Sequence, residues 1–293
     1  MAPKKEITVI GLGNMGVKLA ELLVNAKYTV HVWNRTITKA NALSGVFIQS
    51  EPDEAIAASP LIVMCVYDYQ AAKSILHGIK NKASLAGKTI INFTTGSPKE
   101  AEEMEAWLNT HQAGYINGAL QVAPDQMGLP DTTILLSGNP SVYSGHEDSL
   151  KVFGGNLKYL GPKALLASAM DLATLSWLYG SYVGLLHGVG LCQKSGLDLD
   201  VFKNILGEIT PGFTEFFKHQ IGVIKENNFV VSQSPLAISV SATQRIYEAA
   251  KHYQLNTEFL SVMKDFLQMA DRNGLGNKEL ASLIEIVHNV PVE

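Results

Sequence analysis

The sequence predicts an α/β protein in two parts: a parallel sheet wound by helices, then an all-helical region, joined by one long apolar helix. Three observations carry this. Short β-branched runs alternate with amphipathic stretches up to about residue 160, and period-two alternation disappears from Ala164 onward. The segment Leu172–Gln193 holds no Asp, Glu, Lys or Arg over 22 residues. The length of 293 residues suits two domains at roughly 150 residues each. With 46% hydrophobic residues the chain can bury a large core, which excludes wholesale disorder. Charged residues are 17%, against roughly 25% on average, so there is less solvated surface than a monomer of this size carries, and a homo-oligomer is expected. A net charge of −4 excludes the electrostatic footprint of a nucleic-acid binder.

Taken in order, the strand candidates are Glu6–Ile10, Tyr28–Trp33, Leu61–Val66, Thr89–Phe93, Gly114–Asn117 and Thr132–Leu136, with Leu157–Leu160 as a last one. A helix follows the first strand over Val17–Val24. Ser97-Pro98-Lys99-Glu100 is a capping box with proline at the first helical position, so another helix starts there, and Ser50-Glu51-Pro52-Asp53 repeats the design. The long helix runs to about Lys194. Thr210-Pro211-Gly212 and Ser232-Gln233-Ser234-Pro235 are expected breaks between the later helices. The domains expected are 1–162, an interdomain helix over 163–194, and 195–293.

Leu172–Gln193 is long enough to span a bilayer. It also carries Thr174, Ser176, Tyr179, Ser181, Tyr182 and His187, with no basic cluster at either flank, so a helix buried between protein surfaces is the better reading. The opening residues lack a signal-peptide pattern, and a cytoplasmic protein without a membrane partner is expected. Cys65 and Cys192 sit in apolar runs and read as inert thiols, and the scattered histidines give no metal-ligand spacing.

Ile7-Thr8-Val9-Ile10 runs directly into Gly11-Leu12-Gly13-Asn14-Met15-Gly16, with a helix behind it. Gly11 permits the tight turn, Gly13 lets backbone approach a pyrophosphate, and Gly16 allows close helix–strand packing. The helix N-terminus then offers free N–H groups and a positive dipole end to phosphates. This is the dinucleotide-binding pattern of a Rossmann domain. Cofactor choice is read at the end of the second strand, Trp33-Asn34-Arg35-Thr36, with Lys39 a turn later. No carboxylate lies between Glu21 and Glu51 to accept from a ribose 2′-OH. Arg35 suits a 2′-phosphate, with Asn34, Thr36 and Lys39 as further donors, so NADPH is the expected cofactor. Asn92 closes a strand at the sheet edge where open α/β folds place ligands. Asp68 reads as a helix cap, and Val66, Tyr67, Tyr69 and Thr94 as neighbours of the cofactor.

The glycine motif followed by Val32-Trp33-Asn34-Arg35-Thr36 resembles the β-hydroxyacid dehydrogenase superfamily, and more narrowly its imine reductase and reductive aminase branch. Ile91-Asn92-Phe93-Thr94-Thr95-Gly96-Ser97-Pro98, Tyr159-Leu160-Gly161, Asp171-Leu172-Ala173-Thr174-Leu175 and Tyr179-Gly180 support the narrower match, which is weakest over the last hundred residues. The resemblance implies NADPH-dependent reduction of imines, and in its reductive aminase members coupling of a carbonyl and an amine beforehand. It also implies a C-terminal dimerisation domain like that of 6-phosphogluconate dehydrogenase, and a domain-swapped homodimer whose active sites use both subunits. Hydroxyacid dehydrogenases of the superfamily carry a catalytic lysine three residues before an asparagine at the start of the long helix. Here that stretch is Ser168-Ala169-Met170-Asp171. A carboxylate stabilises a cationic iminium, and the resemblance assigns that role to Asp171.

Tyr179 is the candidate proton donor or substrate anchor. On an ideal helix the eight residues from Asp171 turn about 80° and rise about 12 Å, whereas Tyr182 lies within about 20° of Asp171. The family spacing selects Tyr179, leaving Tyr182 as packing and His187 as a buried structural histidine. The resemblance gives Asn92 a hydrogen bond to the substrate heteroatom and the nicotinamide ribose. Val122, Pro124 and Met127 stand in expected pocket positions. Phe213 follows Gly212 where reductive aminases often carry tryptophan, and Ile238-Ser239 stands where hydroxyacid dehydrogenases have a second lysine. Two alternatives remain open: a short-chain β-hydroxyacid dehydrogenase, which the missing lysine disfavours, and a non-catalytic NADPH-binding sensor.

Overall fold

The computed structural model describes residues 5–288. The chain divides into two compact units, Met1–Trp177 and Leu178–Glu293. The first unit is built on one eight-stranded sheet in the order β3-β2-β1-β4-β5-β6-β7-β8. Its strands are β1 (Glu6–Ile10), β2 (Thr29–Trp33), β3 (Val46–Ile48), β4 (Leu61–Met64), β5 (Thr89–Asn92), β6 (Gly114–Leu120), β7 (Thr133–Gly138) and β8 (Asn156–Tyr159). The helices between them are α1 (Asn14–Asn25), α2 (Pro52–Ala58), α3 (Tyr69–Gly78), α4 (Pro98–Thr110) and α5 (Pro140–Leu150).

Strand alternation divides the core between the two sheet faces. Val9, Leu61 and Val63 pack with Leu19 and Leu23 of α1 and Leu150 of α5, whereas Ile10, Ile62 and Met64 pack with α2, α3 and α4 through Ile56, Leu76 and Met104. Strand order reverses at β1, between β2 and β4. The register there pairs Ile10 with Trp33 and with Met64, and Met64 in turn with Asn92. Gly11, Asn34 and Cys65 therefore leave the sheet side by side at the switch point, where open α/β folds bind ligands.

Several expectations need correction. β3 was not expected: it is a three-residue edge strand with Phe47 and Ile48 exposed, too short to show a period. β7 runs antiparallel to β6, so the sheet is not wholly parallel. The helix after the glycines begins at Asn14, three residues earlier than its apolar period suggests. Ser97 caps α4 as expected, accepting from the N–H of Glu100 while Glu100 accepts from the Ser97 N–H at 2.8 Å. At the related motif the cap of α2 is Glu51 rather than Ser50, and Glu54 gathers the N–H groups of both.

The long helix is α6 (Leu165–Ser195), and the boundary between the two units falls within it. After it come α7 (Leu199–Glu226), α8 (Leu236–His252), α9 (Glu258–Ala270) and α10 (Ile284–His288). A small apolar core of Leu236, Leu267, Ala270, Leu275 and Ile286 holds α8, α9 and α10. Pro211 does not break the chain, because α7 passes through it. That turn is exposed, so the Gly207 carbonyl freed by the missing N–H stands open to water, and the Thr210 hydroxyl donates to the Leu206 carbonyl at 2.6 Å. His187 is half-exposed rather than buried, with Nε2 3.1 Å from the Asn256 carbonyl. Ser232–Pro235 is a true break, stapled by buried Glu279, which accepts from the N–H groups of Ser232, Gln233 and Ser234. No helix among the described residues is long and apolar enough to cross a membrane.

Candidate active site

A cavity of about 850 Å³ opens at the switch point of the sheet. Gly11, Leu12, Gly13, Asn14, Met15 and Gly16 form one wall. Asn34, Arg35, Thr36 and Lys39 form another, and Val66 and Tyr67 a third. Gly11 has φ +96°, and a Cβ there would collide with the Cys65 carbonyl, while one on Gly16 would collide with the Gly11 carbonyl. Nothing stands within 4 Å of the position a Cβ would take on Gly13, so backbone is bare where a pyrophosphate would approach. The first turn of α1 contains no acidic side chain to oppose an anion.

Arg35 and Lys39 make no ion pair among the described residues, which leaves both cations to the cavity. Asn34 has a structural task beside the one expected. Its Oδ1 accepts from the Leu12 N–H at 2.9 Å and its Nδ2 donates to the Thr36 carbonyl at 2.9 Å, so it braces the glycine turn against the Arg35 loop. The second Nδ2 hydrogen is left to the cavity that Asn34 lines, where it can still serve a phosphate. Tyr67 is open to the cavity, but Tyr69 is fully buried in the core and borders nothing there. Asp68 caps α3, accepting from the Ala71 N–H at 2.7 Å. Cys65 is half-buried on the cavity wall, and burial pushes its thiol up to about 11, so it stays protonated and unreactive.

Asn92 and Thr94 lie behind this cavity rather than on its wall. Asn92 is 1% exposed, donates to the Tyr115 hydroxyl at 3.2 Å and accepts from the Thr94 N–H at 3.1 Å. Thr94 in turn accepts from the Val66 N–H, tying β5 to the loop after β4. The chain of polar contacts continues inward: Tyr115 meets Tyr69, Tyr69 donates to Asn117, and Asn117 donates to Ser168 Oγ at 2.8 Å. A fully paired buried network thus connects the sheet edge to the first turn of α6.

One turn further along α6 stands Asp171, 6% exposed. Burial raises its pKa above the usual carboxylate range, and a hydrogen bond from Gln121 pulls the other way. Gln121 Nε2 donates to Asp171 Oδ1 at 2.7 Å, and no cation pairs with Asp171 among the described residues. Sequence reasoning overlooked Gln121; the available signal was a lone amide in the otherwise apolar run Ala119–Ala123.

The comparisons with known proteins agree with this geometry. Residues 6–161 match the NAD binding domain of 6-phosphogluconate dehydrogenase, and residues 164–289 the C-terminal domain of NADPH-dependent reductive aminase-like proteins. An NADPH-dependent reductive aminase of Aspergillus oryzae is 31% identical over 288 residues, 96% of each chain. The chain belongs to the reductive aminase family. Among solved structures, a reductive aminase from Aspergillus terreus in complex with NADPH and ethyl levulinate superposes with a TM-score of 0.91 at 32% identity, covering 97% of this chain and 100% of that one. An imine reductase from Myxococcus stipitatus in complex with NADP+ gives a TM-score of 0.92 at 26% identity, covering 96% and 99%.

The remaining candidates of this reductive aminase family member fall in both units. In the first, Val122 and Pro124 lie in the half-buried loop after β6. Met127 does not line a pocket: it is 3% exposed and packs into the core with Leu19 and Leu23, drawn there by the α1 face. In the second unit, Tyr179 on α6 is 63% exposed, Phe213 on α7 and Ile238 on α8 are exposed, and Ser239 is half-buried. Tyr182 is exposed rather than packed within its own chain.

Proposed function

We propose that this chain catalyses the NADPH-dependent reduction of imines and iminium ions to amines, including those formed from a carbonyl and an amine. The observation that carries the reading is Asp171: a carboxylate nearly removed from solvent, held by a neutral amide, with no cation beside it among the described residues. A charge so placed is an electrostatic receptor for a cationic C=N group, and burial strengthens it. Residues 165–174 of α6 contain no lysine to donate to an alkoxide, as hydroxyacid chemistry would need.

The cavity suits NADPH in shape and charge. Gly11–Gly16 and the N-terminus of α1 would take the pyrophosphate, and Arg35 with Lys39 the 2′-phosphate. When bound, NADPH supplies the hydride that reaches the C=N carbon. Asp171 stabilises the positive charge that precedes that transfer or relays a proton to the nitrogen. Tyr179 anchors the substrate or donates the proton, and Asn92 orients the substrate heteroatom and the nicotinamide ribose. Val122, Pro124, Phe213, Ile238 and Ser239 shape the pocket. On this reading the protein is a cytoplasmic homodimer of Rossmann domain 1–162, interdomain helix 163–194 and helical domain 195–293, acting on small molecules rather than on nucleic acid or membranes.

The test is NADPH oxidation across cyclic imines, ketone–amine pairs and hydroxyacids. Imine turnover is expected, with ketone–amine pairs reduced where condensation is fast. Oxidation of hydroxyacids without imine reduction would overturn the reading, as would tight NADPH binding with no turnover in any class.

A further inference from the structure

Gln121 is the first residue after β6, and its backbone is pinned to β7 by an N–H bond to the Thr133 carbonyl at 3.2 Å. Its side chain lies between two groups of α6. Nε2 is 2.7 Å from Asp171 Oδ1, and Oε1 is 2.9 Å from Thr174 Oγ1. The same Thr174 hydroxyl is 2.8 Å from the Asp171 main-chain carbonyl. The hydroxyl has a single proton for two acceptors, so the three side chains have only a few ways to be satisfied together.

With Asp171 ionised, its carboxylate only accepts. Gln121 must then present its NH₂ to Asp171, and Thr174 must give its proton to Gln121 Oε1. With Asp171 protonated, the carboxyl O–H needs an acceptor. Turning the amide over brings Oε1 to the Asp171 O–H and Nε2 to Thr174 Oγ1, which releases the Thr174 proton to the Asp171 main-chain carbonyl. Both arrangements give Gln121 Oε1, Gln121 Nε2 and Thr174 Oγ1 a partner each, and they differ by one amide rotation and one proton exchanged with solvent or substrate. A buried carboxyl that must change charge during turnover needs a partner of this kind, since a polar group left unpaired there is destabilising.

We propose that Gln121, set by Thr174, is the positioning residue for Asp171, holding the ionised carboxylate in one orientation and turning over to keep the protonated form paired. This rests on the catalytic reading of Asp171 given above.

Among the described residues the surrounding elements supply no competing charge at hydrogen-bond distance. From β6 the ionisable group is Tyr115, held by Tyr69 and Asn92. From β7 there is none, and from β8 there are exposed Lys158 and Tyr159, whose hydroxyl donates to the Gly138 carbonyl. Glu105 of α4 accepts from the Ala164 N–H at 3.4 Å, and Lys163 precedes the helix.

The experiment compares Gln121→Met, Gln121→Glu, Thr174→Val and Thr174→Ser with the wild type, using a five-membered cyclic imine as probe. Gln121→Met keeps the length of the side chain and removes both amide atoms. It should lower kcat about tenfold, the worth of a hydrogen bond to a charged group, while KM and NADPH affinity change by less than about twofold. The limb of the pH–rate profile that reports Asp171 should move to higher pH, because the lost bond favoured the ionised form. Gln121→Glu should recover activity only at low pH, where one of the two carboxyls is protonated. Thr174→Val should lose about threefold, with Thr174→Ser restoring it; this pair carries the test if Gln121→Met does not fold.

A second readout is the ¹³C shift of the Asp171 carboxyl followed against pH in the NADP⁺-loaded enzyme and assigned by its loss in Asp171→Asn. Its midpoint should rise in Gln121→Met. Wild-type kcat with an unmoved limb and midpoint would overturn the proposal. A fully active Asp171→Asn would instead remove the catalytic reading, and the carboxyl titration would still decide whether Gln121 governs Asp171.

Discussion

Asp171 and Arg35 are both charged side chains without a counter-ion among the described residues, for opposite ends. Arg35 is exposed at the cavity rim, where its charge costs little until a phosphate arrives. NADPH should therefore be preferred over NADH by at least about tenfold in kcat/KM, and Arg35→Ala should narrow the gap, since charge-assisted bonds form only to the phosphate. Equal use of both cofactors by the wild type would count against this. Asp171 is buried, and its charge is costly in the free protein, as the upward displacement of its pKa records. On the proposed reading that cost is recovered when a cationic substrate stands beside it. Asp171→Asn keeps the shape and removes the charge, so single-turnover reduction of a cyclic imine should fall by about 10²–10³, the usual worth of one preorganised stabilising group. NADPH affinity should hold, because the cavity proposed to take it is lined by Gly11–Gly16 and the Arg35 loop and does not include Asp171.

At the scale of elements, Glu279 shows how one residue fixes a loop that sequence alone marks only as a break. Burial acts to raise its pKa, but the N–H groups of Gln233, Ser232 and Ser234 together with the Gln220 amide outweigh it and bring it down to about 2. Being lowered in the folded state, this carboxyl contributes stability that is complete above the unfolded carboxylate range near pH 4.5 and is lost as pH falls toward 2. Glu279→Gln leaves several of those donors unpaired and should cost about 1–3 kcal/mol at neutral pH in denaturant melts. The difference from wild type should shrink steadily between pH 4.5 and 2; a gap independent of pH would mean that shape, not charge, holds the loop. The first unit was legible because its signals are local: strand periodicity, a glycine turn, a capping box. β3 was not, with three residues and two of them exposed. Pro211 misled because a helix can continue through a proline where the freed carbonyl is open to water, as it is on this exposed turn. The bond from Gln121 to Asp171 spans 50 residues, a separation no local pattern reports.

For the whole molecule the decisive feature is the apolar surface of α6 and α7. Trp177 is 62% exposed in the single chain, and Leu178, Tyr182, Val183, Leu186, Ile205 and Phe217 stand open as well. Scattered exposed apolar residues are ordinary, but a run along α6 that is uncharged from Leu172 to Gln193, continued by apolar residues of α7, is the kind of surface a partner covers. The low charge of the whole chain says the same from composition, and a second copy is the partner that needs no further protein. Sedimentation should therefore give twice the 31.7 kDa chain mass at working concentrations. Leu186→Glu buries a charge without a partner in that interface and should shift the equilibrium toward monomer by several kcal/mol. If the site is shared between copies, activity should disappear in step with the dimer across a dilution series, while NADPH binding to Gly11–Gly16 and Arg35, contained within one chain, persists. Fluorescence of bound NADPH and steady-state turnover on the same samples separate the two. An active species sedimenting at 31.7 kDa would show that one chain completes its own site and that the apolar face of α6 serves packing alone.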